Sequence, residues 1–165
     1  MIQRRQTLYL LAIVILGIVL CFTAVLQFTT PAEAGVQRIF YLGAFGLEEE
    51  PLDVDYLAPL DPIILNGWWG LAVTTILIPL LALIDIFLYK RRILQARLNI
   101  FLAMLCVGYY GILLMYAWVV RHLIEVDWDI CFGACIPLVC LIFTAGATRL
   151  ILKDEALVRA ADRIR

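Results

Sequence analysis

Four apolar runs, at about 7–28, 65–89, 98–120 and 130–152, dominate this chain. Each is longer than a helix in a soluble core requires. A helix rising ~1.5 Å per residue needs ~20 apolar residues to cross a ~30 Å hydrocarbon layer. The runs therefore predict an all-α membrane protein, with four transmembrane helices in two hairpins and one domain over residues 1–165. Composition agrees: hydrophobic residues make up 64% of the chain, against roughly 45–50% in soluble domains.

Orientation follows from charge. The turn Tyr89-Lys90-Arg91-Arg92-Ile93-Leu94-Gln95-Ala96-Arg97 joins the second and third runs and carries Lys90, Arg91, Arg92 and Arg97. Short loops rich in Lys and Arg stay on the cytoplasmic side. With that turn inside, eleven of the thirteen Lys and Arg fall on the cytoplasmic face, leaving only Arg38 and Arg121 outside. Ten of the fourteen acids fall outside. The predicted topology has both termini on the cytoplasmic side. Trp68, Trp69, Trp118 and Trp128 all fall at the outer boundary, where indole rings prefer the headgroup level.

The first run is too long for a signal-peptide core of about 7–15 residues, although Ala32-Glu33-Ala34 resembles a cleavage site. It reads as an uncleaved span. Residues 29–64 form a small extracytoplasmic loop domain with seven acids and one base. Val36 to Leu47 is rich in aromatic and β-favouring residues, which suggests a short strand or hairpin. Pro51, Pro59 and Pro62 break any long helix beyond it. The acids read as a solvated surface or as a cation site, and their spacing matches no calcium-loop motif.

Within the spans, Asp85 and Arg149 each sit about one turn inside the cytoplasmic boundary. An intramembrane charge is a functional candidate, and its cost falls on pairing. The expectation is an ion pair between the second and fourth spans, with Asn99 or Arg97 completing the network; the functional alternative is an ion relay past Asp85. Pro79 predicts a kink in the second span. Gly108-Tyr109-Tyr110-Gly111 offers small residues for close helix approach, and the two tyrosines either pack or line a quinone or lipid pocket. Cys131 and Cys135 share a helix face but lack the CxxC spacing and loop exposure of a disulfide-forming enzyme. The single histidine, His122, excludes haem held by two histidines of one chain, and no zinc ligand set accompanies it. No P-loop, Ser-His-Asp set or HExxH motif is present. No cofactor and no nucleic-acid partner are expected.

Three pieces of sequence together resemble a known family. They are Met1-Ile2-Gln3-Arg4, Lys90-Arg91-Arg92-Ile93-Leu94-Gln95 followed by Arg97-Leu98-Asn99, and Lys153-Asp154-Glu155-Ala156-Leu157-Val158-Arg159 through Asp162-Arg163-Ile164-Arg165. The family is a four-span inner-membrane family of Bacteroidota catalogued as a domain of unknown function. The resemblance implies location and fold and brings no activity. It places the distinctive positions on the cytoplasmic face: Lys90, Arg91, Arg92 and Arg97 in the turn, and Glu155, Arg159 and Arg163 in the tail 153–165. The resulting expectation is a non-enzymatic accessory or interaction subunit, contacting anionic headgroups and either a membrane complex or a second copy of itself. A small homo-oligomeric transporter or channel using Asp85 is the alternative, and a lipid- or quinone-linked membrane enzyme the lesser one.

Overall fold

The computed structural model describes residues 3–30, 38–50, 69–89, 91–124 and 126–162. Four helices account for most of them: α1 (Gln3–Cys21), α2 (Trp69–Phe87), α3 (Arg92–Ile124) and α4 (Ile136–Asp162). Helix α1 packs against α2 and α4, and α3 packs against the same two, so the helices close a ring. Among the described residues three stretches are long and apolar enough to cross a membrane: Trp69–Phe87, Arg92–His122 and Phe132–Leu157. The apolar part of α1, Gln6–Cys21, is shorter.

The all-α expectation needs correction, because a four-stranded antiparallel sheet caps one end of the helices. Its strands are β1 (Leu26–Thr29), β2 (Ile39–Leu42), β3 (Leu47–Glu49) and β4 (Asp127–Ile130), in the order β3-β2-β1-β4. Strands β1 and β2 alternate between buried and half-buried residues, as period-2 side chains do when one face covers a core. Leu26, Phe28, Phe40, Leu42 and Leu47 form that inner face. The predicted strand within Val36 to Leu47 corresponds to β2 and the start of β3. The partners β1 and β4 lie where the sequence reading placed the end of the first span and the junction of the second outer loop with the fourth span.

The other end of the helical body holds the α2–α3 turn and the outer turns of α1 and α4, and is called the turn end here. Most of the expected connector 90–97 is helical, since α3 already begins at Arg92. Close helix approach occurs at Gly17, where an added Cβ would stand 2.9 Å from Pro79 Cβ and Cδ. Two ring atoms of a proline cannot yield as a flexible chain end does, so α1 and α2 meet there only because residue 17 lacks a side chain. The expectation attached to Gly108 and Gly111 is corrected accordingly: no neighbouring atom lies within 4 Å of a Cβ at either. Gly133 has the same role as Gly17 beneath the sheet, its position sealed by the Ala24 carbonyl.

Candidate functional site

The polar residues that the fold buries are concentrated at the turn end, and every helix contributes. Gln6 from α1, Asp85 from α2, Gln95 and Asn99 from α3, and Thr144 and Asp154 from α4 are all buried. Their hydrogen bonds join helices that are distant in sequence. Gln6 donates through Nε2 to Asp154 Oδ2 at 2.6 Å, and Arg92 Nη1 donates to the Asp154 carbonyl at 3.2 Å. Gln95 Nε2 donates to the Asp85 carbonyl at 3.2 Å, bracing the turn between α2 and α3. Asn99 Nδ2 reaches the Thr144 carbonyl at 3.2 Å and Thr148 Oγ1 at 3.0 Å on α4. Sequence signals exist for these roles: Gln95 and Asn99 are four apart and so share one face of α3.

Asp85 is the exception in this layer. It is 1% exposed, and among the described residues neither carboxylate oxygen has a hydrogen-bond partner. Arg149 is exposed on α4, so the expected pair between them is not formed. The physical reason is helix phase. Asp85 continues the buried face of α2 formed by Leu71, Ala72, Thr75, Ile78 and Ala82, whereas Ala147 and Ile151 take the buried face of α4 on either side of Arg149. Asn99 does join the network, but through α4 rather than through Asp85, and its Oδ1 is also without a partner. Arg97 is exposed. The unpartnered atoms of this layer are therefore all acceptors: Asp85 Oδ1 and Oδ2, and Asn99 Oδ1. A protonated carboxyl carries one donor and an ionised one carries none, so a single added proton or cation would change how well this layer is satisfied.

A search against family models finds one whose match spans residues 2–164, essentially the whole chain. The chain belongs to the family described as Domain of unknown function (DUF4293). Among curated proteins, none matches the chain. The family membership agrees with the resemblance carried by the two ends and the central turn. It brings no catalytic or binding residues of its own, so the site has to be read from geometry.

The remaining sequence candidates divide clearly. Arg91, Arg97, Arg149 and Lys153 are exposed around the turn end, and Arg92 and Glu155 are half-buried. Lys90, Arg163 and Trp68, the acids and prolines of 51–64, and the side chain of Arg159 lie outside the described residues. Trp69 and Trp118 are exposed, and Trp128 is half-buried on β4; all three stand at the sheet end. Cys131 and Cys135 do not share a regular helix face, because a 3-10 turn (Phe132–Cys135) separates Cys131 from α4. All five cysteines are free thiols. Tyr109 is wholly buried in the core, whereas Tyr110 donates its hydroxyl to the Ala134 carbonyl at 2.6 Å. His122 stands edge-on to Trp118 with ring centroids 4.6 Å apart. Among the described residues no group of three His, Cys, Asp or Glu is placed to hold a metal ion.

Proposed function

We propose that this chain is an integral protein of the bacterial inner membrane, with four spans, both termini cytoplasmic and the sheet outside, acting as a non-enzymatic accessory subunit. The observation that carries the reading is the sorting of charge at the turn end. Its acids Asp85 and Asp154 are turned inward, Glu155 and Arg92 are half-buried, and Arg91, Arg97, Arg149 and Lys153 are turned outward. This leaves a basic collar at the level where the helices leave the hydrocarbon. Each such cation contributes about 1 kcal/mol near an anionic leaflet. The collar and the charged tail beyond it are the surface offered to headgroups and to a partner complex.

Counting α1 as the fourth span rests on its length and its outer face. Its 19 residues equal those of α2 and reach roughly 28 Å. Leu8, Leu11, Ile15 and Ile18 recur along its exposed side, while Leu10, Ile13 and Leu20 are buried. A helix that is apolar on both faces suits lipid on one side and protein on the other. The four helices then form a transmembrane bundle.

The test is purification of the full chain in patches of its own membrane. The accessory reading expects a co-purifying membrane complex that is lost when Arg91, Arg97, Arg149 and Lys153 are changed to Gln. A monomer carrying lipid alone overturns it.

A second reading has an observation of its own. The carboxylate of Asp85 sits unpartnered inside the helices, which suits a small transporter moving protons or monovalent cations. The charge sorting at the turn end keeps the accessory reading ahead. Ion flux into proteoliposomes that disappears with Asp85→Asn would reverse the order.

A further inference from the structure

Two cavities open at the sheet end, and they differ in chemistry. The first is an apolar groove of about 240 Å³ between α3 and the start of α4, lined by Leu26, Tyr110, Leu114, Ala117, Ile130 and Leu138. The second is a polar cleft of about 490 Å³, lined by Trp118, Arg121, His122, Val126 and Asp127.

The same two elements wall both spaces. On α3, Leu114, Ala117 and Arg121 follow at three- and four-residue spacing and so lie along one face. The first two line the groove and the third lines the cleft. On the other wall Asp127 borders the cleft, while Trp128 and Ile130 of the same strand border the groove. The apolar groove lies beside α3, and the cleft one turn further along α3 is lined by a guanidinium and a carboxylate. Tyr110 adds no polar demand inside the groove, because its hydroxyl is already committed to the Ala134 carbonyl.

We propose that this pair of cavities is a binding site for a zwitterionic glycerophospholipid whose headgroup ends in a primary ammonium. The groove takes part of an acyl chain. Arg121 binds the phosphate, for which a guanidinium's planar fork of donors is suited. Asp127 accepts from the terminal ammonium. The edge-on pair of Trp118 and His122 forms one side of the cleft, at the interface depth that indole rings favour. An anionic lipid such as phosphatidylglycerol would meet the phosphate site but would offer Asp127 only neutral hydroxyl donors, without the charge that makes an ammonium bond stronger. A trimethylated ammonium would have no N–H to donate to Asp127. Charge complementarity thus selects one headgroup class. The site rests on the membrane reading given above and specifies which lipid the sheet end holds.

The experiment incorporates the full chain into nanodiscs of equimolar phosphatidylethanolamine, phosphatidylglycerol and phosphatidylcholine. Lipid retained through gentle detergent extraction is then read by native mass spectrometry. The wild-type chain is expected to keep one phosphatidylethanolamine, enriched over the other two on the order of tenfold, the effect of one retained charge-assisted hydrogen bond. Arg121 and Asp127 are both exposed, so their variants fold. Arg121→Gln should lose the bound lipid. Asp127→Asn should keep a lipid but lose the preference for the primary ammonium. Arg97→Gln, at the opposite end, should retain the wild-type pattern. Equal retention of the three lipids by the wild-type chain, or retention unchanged by Arg121→Gln, overturns the site. Topology is read separately by labelling, so selective retention supports the site whichever leaflet supplies the lipid.

Discussion

Gln6 and Asp154 are 148 positions apart and meet through a hydrogen bond of 2.6 Å, which ties the first turns of α1 to the last turns of α4. Both side chains are buried. Removing the donor leaves a carboxylate with one fewer partner away from water, and bonds to charged groups contribute about 1.5–3 kcal/mol. Gln6→Leu is therefore expected to lower stability in detergent by about 2 kcal/mol. The double change Gln6→Leu with Asp154→Leu should cost less than the two single changes together, as groups in direct contact do. Strict additivity in thermal melts would show that the bond contributes little.

Two glycines give opposite expectations. Gly17 has Pro79 atoms 2.9 Å from where a Cβ would stand, and Gly108 has nothing within 4 Å. Gly17→Ala should destabilise the protein by about 1–3 kcal/mol, the usual cost of forcing an atom into a packed contact. Gly108→Ala should be neutral or stabilising by up to about 1 kcal/mol, because alanine is the better helix former. Melting curves of the two variants in one detergent compare them directly.

These two glycines also mark how far the sequence could be read. Length and hydropathy make the long helices legible, since few folds accommodate apolar runs of that length. Which face of a helix meets which neighbour is a different matter. Hydrophobic residues cover every side of α1 and α2, so periodicity cannot separate a lipid face from a protein face, and nothing around Gly17 in the sequence marks it above Gly108 and Gly111. For the same reason Leu26–Thr29 reads as a continuation of the first apolar run, although it is strand β1, and the sheet it begins with Ile39–Leu42 went half-recognised. Asp85 and Arg149 stand out in the sequence as charges within apolar runs, but whether they pair depends on helix phase. Gln6 and Asp154 looked like ordinary ends of a polar segment, because nothing local in either reports the other.

Among the described residues Asp85 has no hydrogen-bond partner for its carboxylate, and Arg149 is exposed. A buried acid without a partner is costly to keep. Asp85→Asn is thus expected to leave stability equal or higher, where breaking a buried ion pair would cost several kcal/mol, of the order of 3–5. Asp85→Asn and Arg149→Gln should be additive in a double-mutant melt. A coupling above about 0.5 kcal/mol would show that the two charges interact.

Cys131 lies in extended chain between β4 and the 3-10 turn. Partial burial raises its thiol pKa, and the neighbouring Asp129 charge raises it further. At a pH below its pKa, less thiolate is then available for reaction. Asp129→Asn removes the smaller of the two causes, so the rate of alkylation of Cys131 at pH 8 should rise. The gain should shrink as pH climbs through the thiol pKa, where both forms become thiolate. Rates measured by mass spectrometry between pH 7 and 10 check both the sign and the convergence.

The central claim is that the sheet end and the turn end of one transmembrane body face opposite sides of the membrane. Single cysteines placed at Glu48 on β3 and at Arg97 on α3, in a chain whose five natural cysteines are replaced, measure this directly in intact cells. A membrane-impermeant maleimide is expected to label position 48 from outside and to reach position 97 only after the membrane is opened. Labelling of both positions from the same side, or of position 97 alone in intact cells, would contradict the account.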